Sequence, residues 1–137
     1  MSSDRCQEIL NFWFEESSSK DHWAKNNEYD QKIRDLFLND LEKAVRNEYD
    51  DWQDKAKSSL ALVILLDQFS RNLYREDPKS YSQDTKARLL VTEGVDRQYL
   101  DELDVSERLF YLLPLIHSED LQDHSYVNQL GDVFLKE

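Results

Sequence analysis

Two short polar stretches, each placed directly behind a strongly apolar run, hold the residues of this chain that could do chemistry. The first is Asp67, Gln68, Ser70, Arg71 and Asn72, which follow the unbroken apolar run 60–66. On a helix, Asp67, Arg71 and Arg75 share one face, and Gln68 and Asn72 lie on an adjoining strip. Polar groups set behind so buried a turn are costly unless they pair with one another or with other helices. The second stretch is His117, Ser118, Glu119 and Asp120, with Gln122 one turn on, after another apolar helix interrupted by Pro114.

If the two apolar helices dock, these patches meet at one end of the core. In a site reading, Arg71 binds an anion and Gln68 and Asn72 orient it, with Ser118 and Gln122 as further ligand contacts. His117, with Glu119 or Asp67, then handles a proton, because imidazole is the side chain that titrates nearest neutral pH. In a structural reading, the same groups tie helix ends together, with Asp67–Arg71 as the ion pair.

Other chemistries find less. His117 and Glu119 make a His-x-Glu, but a zinc site needs three or four ligands, and His22 and His124 have no partner spacing. No metal or cofactor is expected. Two glycines cannot build a phosphate-binding loop, and no serine sits in a nucleophile elbow. Cys6 stands alone and without a nearby histidine, which reads as an inert thiol. Trp13, Trp23 and Trp52 read as packing anchors with satisfied N–H groups.

The elements that must position these residues are helices. Only two Gly and two Pro occur in 137 residues, too few for a protein built from hairpins. A first helix, capped by Ser3 or Asp4, reaches about Glu16, and the segment 17–20 reads as a turn. Tyr29, Ile33, Leu36, Phe37, Leu41, Ala44 and Val45 keep the spacing of one apolar face; Asp30, Lys32, Arg34, Asp35, Glu42 and Lys43 read as its solvated side. Asn47 to Asp51 ends that helix. A third helix spans roughly Lys57 to Tyr74, apolar all round in its first half and therefore central. After a loop at Pro78, Ser82 caps a fourth helix to about Val95, with Ala87, Leu89, Leu90 and Val91 as its apolar content and Gly94 at its end. Asp104 and Glu107 have capping-box spacing and open a fifth helix, which Pro114 kinks or ends. Ser118, Glu119 and Asp120 start a last helix to about Phe134. The expected architecture is all-α: about six antiparallel helices stacked as a bundle or short solenoid, in one domain spanning 1–137.

Seventeen Lys and Arg stand against 29 Asp and Glu, a net charge of −12. Such a field repels phosphates and anionic headgroups, so neither nucleic acid nor a membrane surface is an expected partner. The N-terminus lacks a signal-peptide pattern and the lone cysteine suits a reducing compartment, so a cytoplasmic location is expected.

Asn11 to Phe14, Trp23, the segment Leu65 to Asn72 with Pro78, and the segment Leu113 to Gln122 together resemble a family of mostly bacterial proteins, domain of unknown function 924. The likeness runs from about residue 9 to 130. It implies a fold similar to tetratricopeptide-repeat proteins and no established activity. It singles out Asp67, Gln68, Arg71, Asn72, His117, Ser118, Glu119 and Gln122 as motif positions. Ser70 stands where the family usually has proline, which implies a less distorted third helix. Fuller members continue past the position of Glu137 with a further Arg/His/Asn-type motif, so a site completed by that segment would be open here.

Two functions compete. The first is a helical scaffold binding a protein or peptide partner; the other is an enzyme or binder of a small anionic ligand, built on Asp67, Arg71, Asn72, His117 and Glu119. A scaffold should show an exposed apolar groove. A ligand site should show Arg71 and His117 lining a cavity.

Overall fold

A computed structural model describes residues 2–135. Among them there is no strand, and the fold is all-α. The cap expected of Ser3 or Asp4 falls on side chains outside the described set.

Helix α1 (Ser2–Leu10) runs on without a break as a π-helical turn, Asn11–Glu16. A short helix α2 (Ser19–Trp23) replaces the expected turn, because Ser18 and Asp21 complete a capping box around it. Helix α3 (Asn27–Val45) is capped by Asn26 and closed by Asn47 in the left-handed region, as its amphipathic spacing suggests. Its polar side is less solvated than the pattern implies. Asp30 and Arg34 reach across to the end of the central helix, and Asp40 is buried.

The central helix is built from α4 (Ala56–Val63), a second π-helical stretch (Ile64–Phe69) and α5 (Ser70–Leu73). Residues 59 to 70 are buried throughout, as a helix apolar all round requires. The helix is distorted although Ser70 occupies the proline position of the resemblance, so the wide turn does not depend on a missing backbone donor. Phe69 in this π-turn packs edge-on to Phe12 and Trp13 in the other, with centroids 6.1 and 5.7 Å apart. The two widened turns therefore meet through aromatic rings.

Helices α6 (Asp84–Asp96), α7 (Val105–Ile116) and α8 (Leu121–Phe134) complete the chain. Ser82 does not cap α6; its hydroxyl donates to the Lys79 carbonyl in a preceding 3-10 turn, Pro78–Tyr81. Leu89, counted as apolar content, is 67 % exposed. Gly94 is inside α6 rather than at its end, because a Cβ there would stand 1.8 Å from the buried Tyr111 hydroxyl. The Asp104–Glu107 capping box forms in full, and α7 continues two residues past Pro114 to Ile116. Asp120, not Ser118, is the N-cap of α8.

Helices α6 and α7 pack on α4 and on each other, and α8 packs on α7. Trp13 and Trp52 are wholly buried but their indole N–H groups have no partner, contrary to the satisfied anchors expected. Both are enclosed by rings, Trp13 by His22, Phe69 and Phe110 and Trp52 by Tyr49, so packing outweighs the lost hydrogen bond. Trp23 is exposed, stacked flat on Phe110. No described helix is long and apolar enough to cross a membrane.

Candidate functional site

The two polar patches meet. Asp67, in the π-turn of the central helix, is 0 % exposed, and His117 is the C-cap of α7. His117 Nε2 lies 2.8 Å from Asp67 Oδ1. A carboxylate only accepts, so Nε2 carries a proton, and whenever the ring is neutral Nδ1 is the bare nitrogen. Asp67 Oδ2 accepts from the Gln68 amide at 2.8 Å, and Oδ1 also accepts from Arg71 Nη1 at 3.1 Å. The buried carboxylate thus has three side-chain donors, the pairing such a group needs to be tolerated.

Arg71 extends the network. Besides Asp67 it bonds Asp84 with both terminal nitrogens, each at 3.1 Å, and its guanidinium lies over the exposed Tyr81 ring at 5.3 Å. A cleft of about 700 Å³ opens here, lined by Arg71, Tyr81, Asp84, Thr85, Arg88, His117, Ser118 and Glu119. The His117 side chain is 29 % exposed in its wall. Neither His117 Nδ1 nor the Glu119 carboxylate has a partner among the described residues.

The other expected members go elsewhere. The central helix ends at Leu73, so Arg75 leaves the face shared by Asp67 and Arg71. It forms a two-point pair with Asp30 of α3, at 2.8 and 3.0 Å, and Asn72 donates to the same carboxylate at 2.8 Å. Asn72 therefore ties the central helix to α3, outside the cleft. Gln68 serves Asp67 from the buried side. The Ser118 hydroxyl donates to Asp123 at 2.6 Å. Gln122 is exposed in the first turn of α8, its backbone N–H capped by Asp120.

Helix α6 supplies what sequence reasoning overlooked. Asp84 and Arg88 are one turn apart, a spacing that usually signals a solvated pair along a helix. Instead Asp84 turns to Arg71, and Arg88 Nη2 meets Asp123 at 2.6 Å. The signal available was the apolar content of α6, whose buried residues are only Ala87, Leu90, Val91 and Gly94 and leave polar residues facing its neighbours. Among the described residues no group of three His, Cys, Asp or Glu side chains could hold a metal ion. Burial pushes the Cys6 thiol up to about 12, far from a nucleophilic thiolate.

Residues 9–137 match the model of a family described as bacterial protein of unknown function (DUF924). A solved structure of a protein of unknown function from Agrobacterium tumefaciens is similar, with a TM-score of 0.91 and 29 % sequence identity. The alignment covers 98 % of this chain and 78 % of that one. The curated proteins contain no match.

Proposed function

The chain belongs to the bacterial DUF924 family, and from the geometry of its cleft we propose that it binds a small polar molecule there and exchanges a proton with it through His117. The observation that carries this reading is the 2.8 Å contact between His117 and a wholly buried Asp67 in the wall of an open cleft. A carboxylate behind an imidazole fixes its tautomer and aims the second nitrogen, the arrangement a general base uses.

The charges bear on the ligand. Arg71 spends its terminal nitrogens on Asp67 and Asp84, and Arg88 is paired with Asp123, so an anion would have to displace a carboxylate. The groups left without partners, His117 Nδ1 and Glu119, accept hydrogen bonds when His117 is neutral. Amines and hydroxyl compounds are therefore favoured over the anionic ligand first assigned to Arg71. The scaffold reading has thinner support: the large exposed apolar side chains Trp23, Leu36, Val45, Tyr81, Leu89, Leu121 and Val133 are spread over four helices and a 3-10 turn.

The test is a nuclear magnetic resonance titration of the labelled protein with ethanolamine and, separately, acetate. Ethanolamine should move the amide signals of residues 84, 85 and 117–119, and Glu119→Gln should weaken its binding several-fold, the loss of a charged hydrogen bond. Acetate binding more tightly at the same residues would overturn the choice of ligand. Shifts confined to other surfaces, or none at all, would overturn the site.

A further inference from the structure

We propose that Arg88 is a positioning residue of this cleft, holding the corner between α7 and α8 so that His117 stays against Asp67. The inference rests on the cleft reading above and adds what controls it.

The corner itself is short: His117 closes α7, and three residues later Asp120 caps α8. Within the corner His124 Nε2 meets the Ser118 carbonyl, and α8 docks on α7 with Val127 buried and Tyr126, Leu130 and Phe134 partly buried. Across the cleft, Arg88 of α6 reaches it by a continuous chain of bonds. Arg88 Nη2 meets Asp123 Oδ2 at 2.6 Å and approaches Asp120 at 3.7 Å. The same Asp123 oxygen accepts from the Ser118 hydroxyl at 2.6 Å, and that hydroxyl accepts from the Asp120 backbone N–H at 3.1 Å. Ser118 is the neighbour of His117. The pair is partly shielded, with side-chain exposures of 32 % for Arg88 and 17 % for Asp123.

Arg88 Nε is buried with no partner. An unmet buried N–H is a cost, and a chain that retains one gains something from the guanidinium beyond it. Asp84, one turn earlier on α6, binds Arg71, which binds Asp67. One helix therefore grips both halves of the dyad, Asp67 through Asp84 and His117 through Arg88. Loss of the first grip leaves Asp67 with Arg71, Gln68 and His117. Loss of the second removes the tie from α6 to the corner and leaves the His117–Asp67 bond and the docking of α7 to hold it.

The experiment follows the His117 side chain by nitrogen and proton resonance in the folded protein, alongside thermal unfolding. In the unaltered chain, the bond to Asp67 should give an exchange-protected Nε2–H proton and a single tautomer. Arg88→Gln should lose the protection and mix the tautomers while the chain remains folded, and Arg88→Lys, which keeps the charge, should restore part of the signal. Asp123→Asn cuts the same tie from the other side and should reproduce the loss, which covers the case in which Arg88→Gln does not fold. A protected His117 proton that survives both Arg88→Gln and Asp123→Asn would overturn the positioning role. If the unaltered protein shows no such proton, the dyad fails, and the cleft reading with it.

Discussion

Among the described residues two aspartates are buried, each gripped by an arginine beside a cavity, and they are built for different purposes. Asp40 on α3 accepts from Arg5 Nε at 3.0 and 2.9 Å and from the Tyr49 hydroxyl at 2.6 Å, next to a cavity of about 560 Å³. Asp67 has Arg71, Gln68 and His117 beside a cleft of about 700 Å³. At Asp40 no partner can release a proton near neutrality. The hydrogen bond to Asp40 raises the Arg5 guanidinium further, and burial together with Asp40 raises the Tyr49 hydroxyl. At Asp67 one partner is an imidazole, whose two ring nitrogens can take up a proton on one side and hold one on the other. A buried carboxylate and its arginine are thus not what marks a site; the third partner decides whether the cluster is a tie or can move a proton.

The hardest way to break the comparison is at the tie. Asp40→Ala would leave the Tyr49 hydroxyl without its partner and take from Arg5 its carboxylate on α3, leaving it the Leu36 carbonyl and Glu8. The expected loss is about 2–3 kcal/mol, below the usual figure for a split buried pair because Arg5 is about one third exposed. Chemical unfolding measures it, and ethanolamine shifts at the cleft should be unchanged. If the substitution altered those shifts, the two clusters would be coupled and the division of labour wrong.

At the other cluster the same kind of change should read differently. Asp67→Asn keeps the shape of the side chain but offers an amide, which can donate to His117 as well as accept. The stability cost is smaller, about 1–2 kcal/mol, as for one impaired buried hydrogen-bond group. The larger consequence is the tautomer: His117 should lose its single Nε2–H form. A loss of stability equal to that of Asp40→Ala with the tautomer intact would make Asp67 a second structural tie.

The sequence carried the parts of this picture that follow from periodicity and local chemistry. The central helix was legible because seven apolar residues in succession can only be satisfied from every side, and the α7 capping box because its two residues act on each other at fixed spacing. The meeting of Asp67 with His117 followed from two polar patches each adjoining a buried helix. Asn72 stands outside the cleft because a pattern of residue types gives no azimuth once a π-turn and an early helix end have changed it, and Gln122 because Asp120 rather than Ser118 sets the start of α8. Asp84, Arg88 and Asp40 were invisible for another reason: charged residues on ordinary amphipathic helices look solvated until the neighbouring helix is in place. Tryptophan N–H groups were misjudged because ring packing, which sequence does not reveal, outweighed their satisfaction.

The smallest effect comes from a histidine with no carboxylate behind it, and it sharpens what Asp67 adds to His117. His22 on α2 stacks on the Trp13 ring at 4.2 Å and directs Nε2 to the Trp13 carbonyl at 2.7 Å, edge-on to Phe110. Burial holds its pKa below the ordinary 6.5, against the smaller opposing pulls of that carbonyl and Asp21. The folded state therefore takes up a proton less readily than the unfolded chain. The His22 contribution is present above the unfolded value and is lost as pH falls below it toward the folded one. Stability measured by tryptophan fluorescence should drop as pH falls below the ordinary imidazole value of 6.5, and part of that drop should vanish in His22→Gln, which can still donate to the carbonyl. Carboxylates titrate alike in both proteins, so the difference between them isolates His22. Equal slopes would mean that the ring is already solvated and that α2 is not sealed over Trp13.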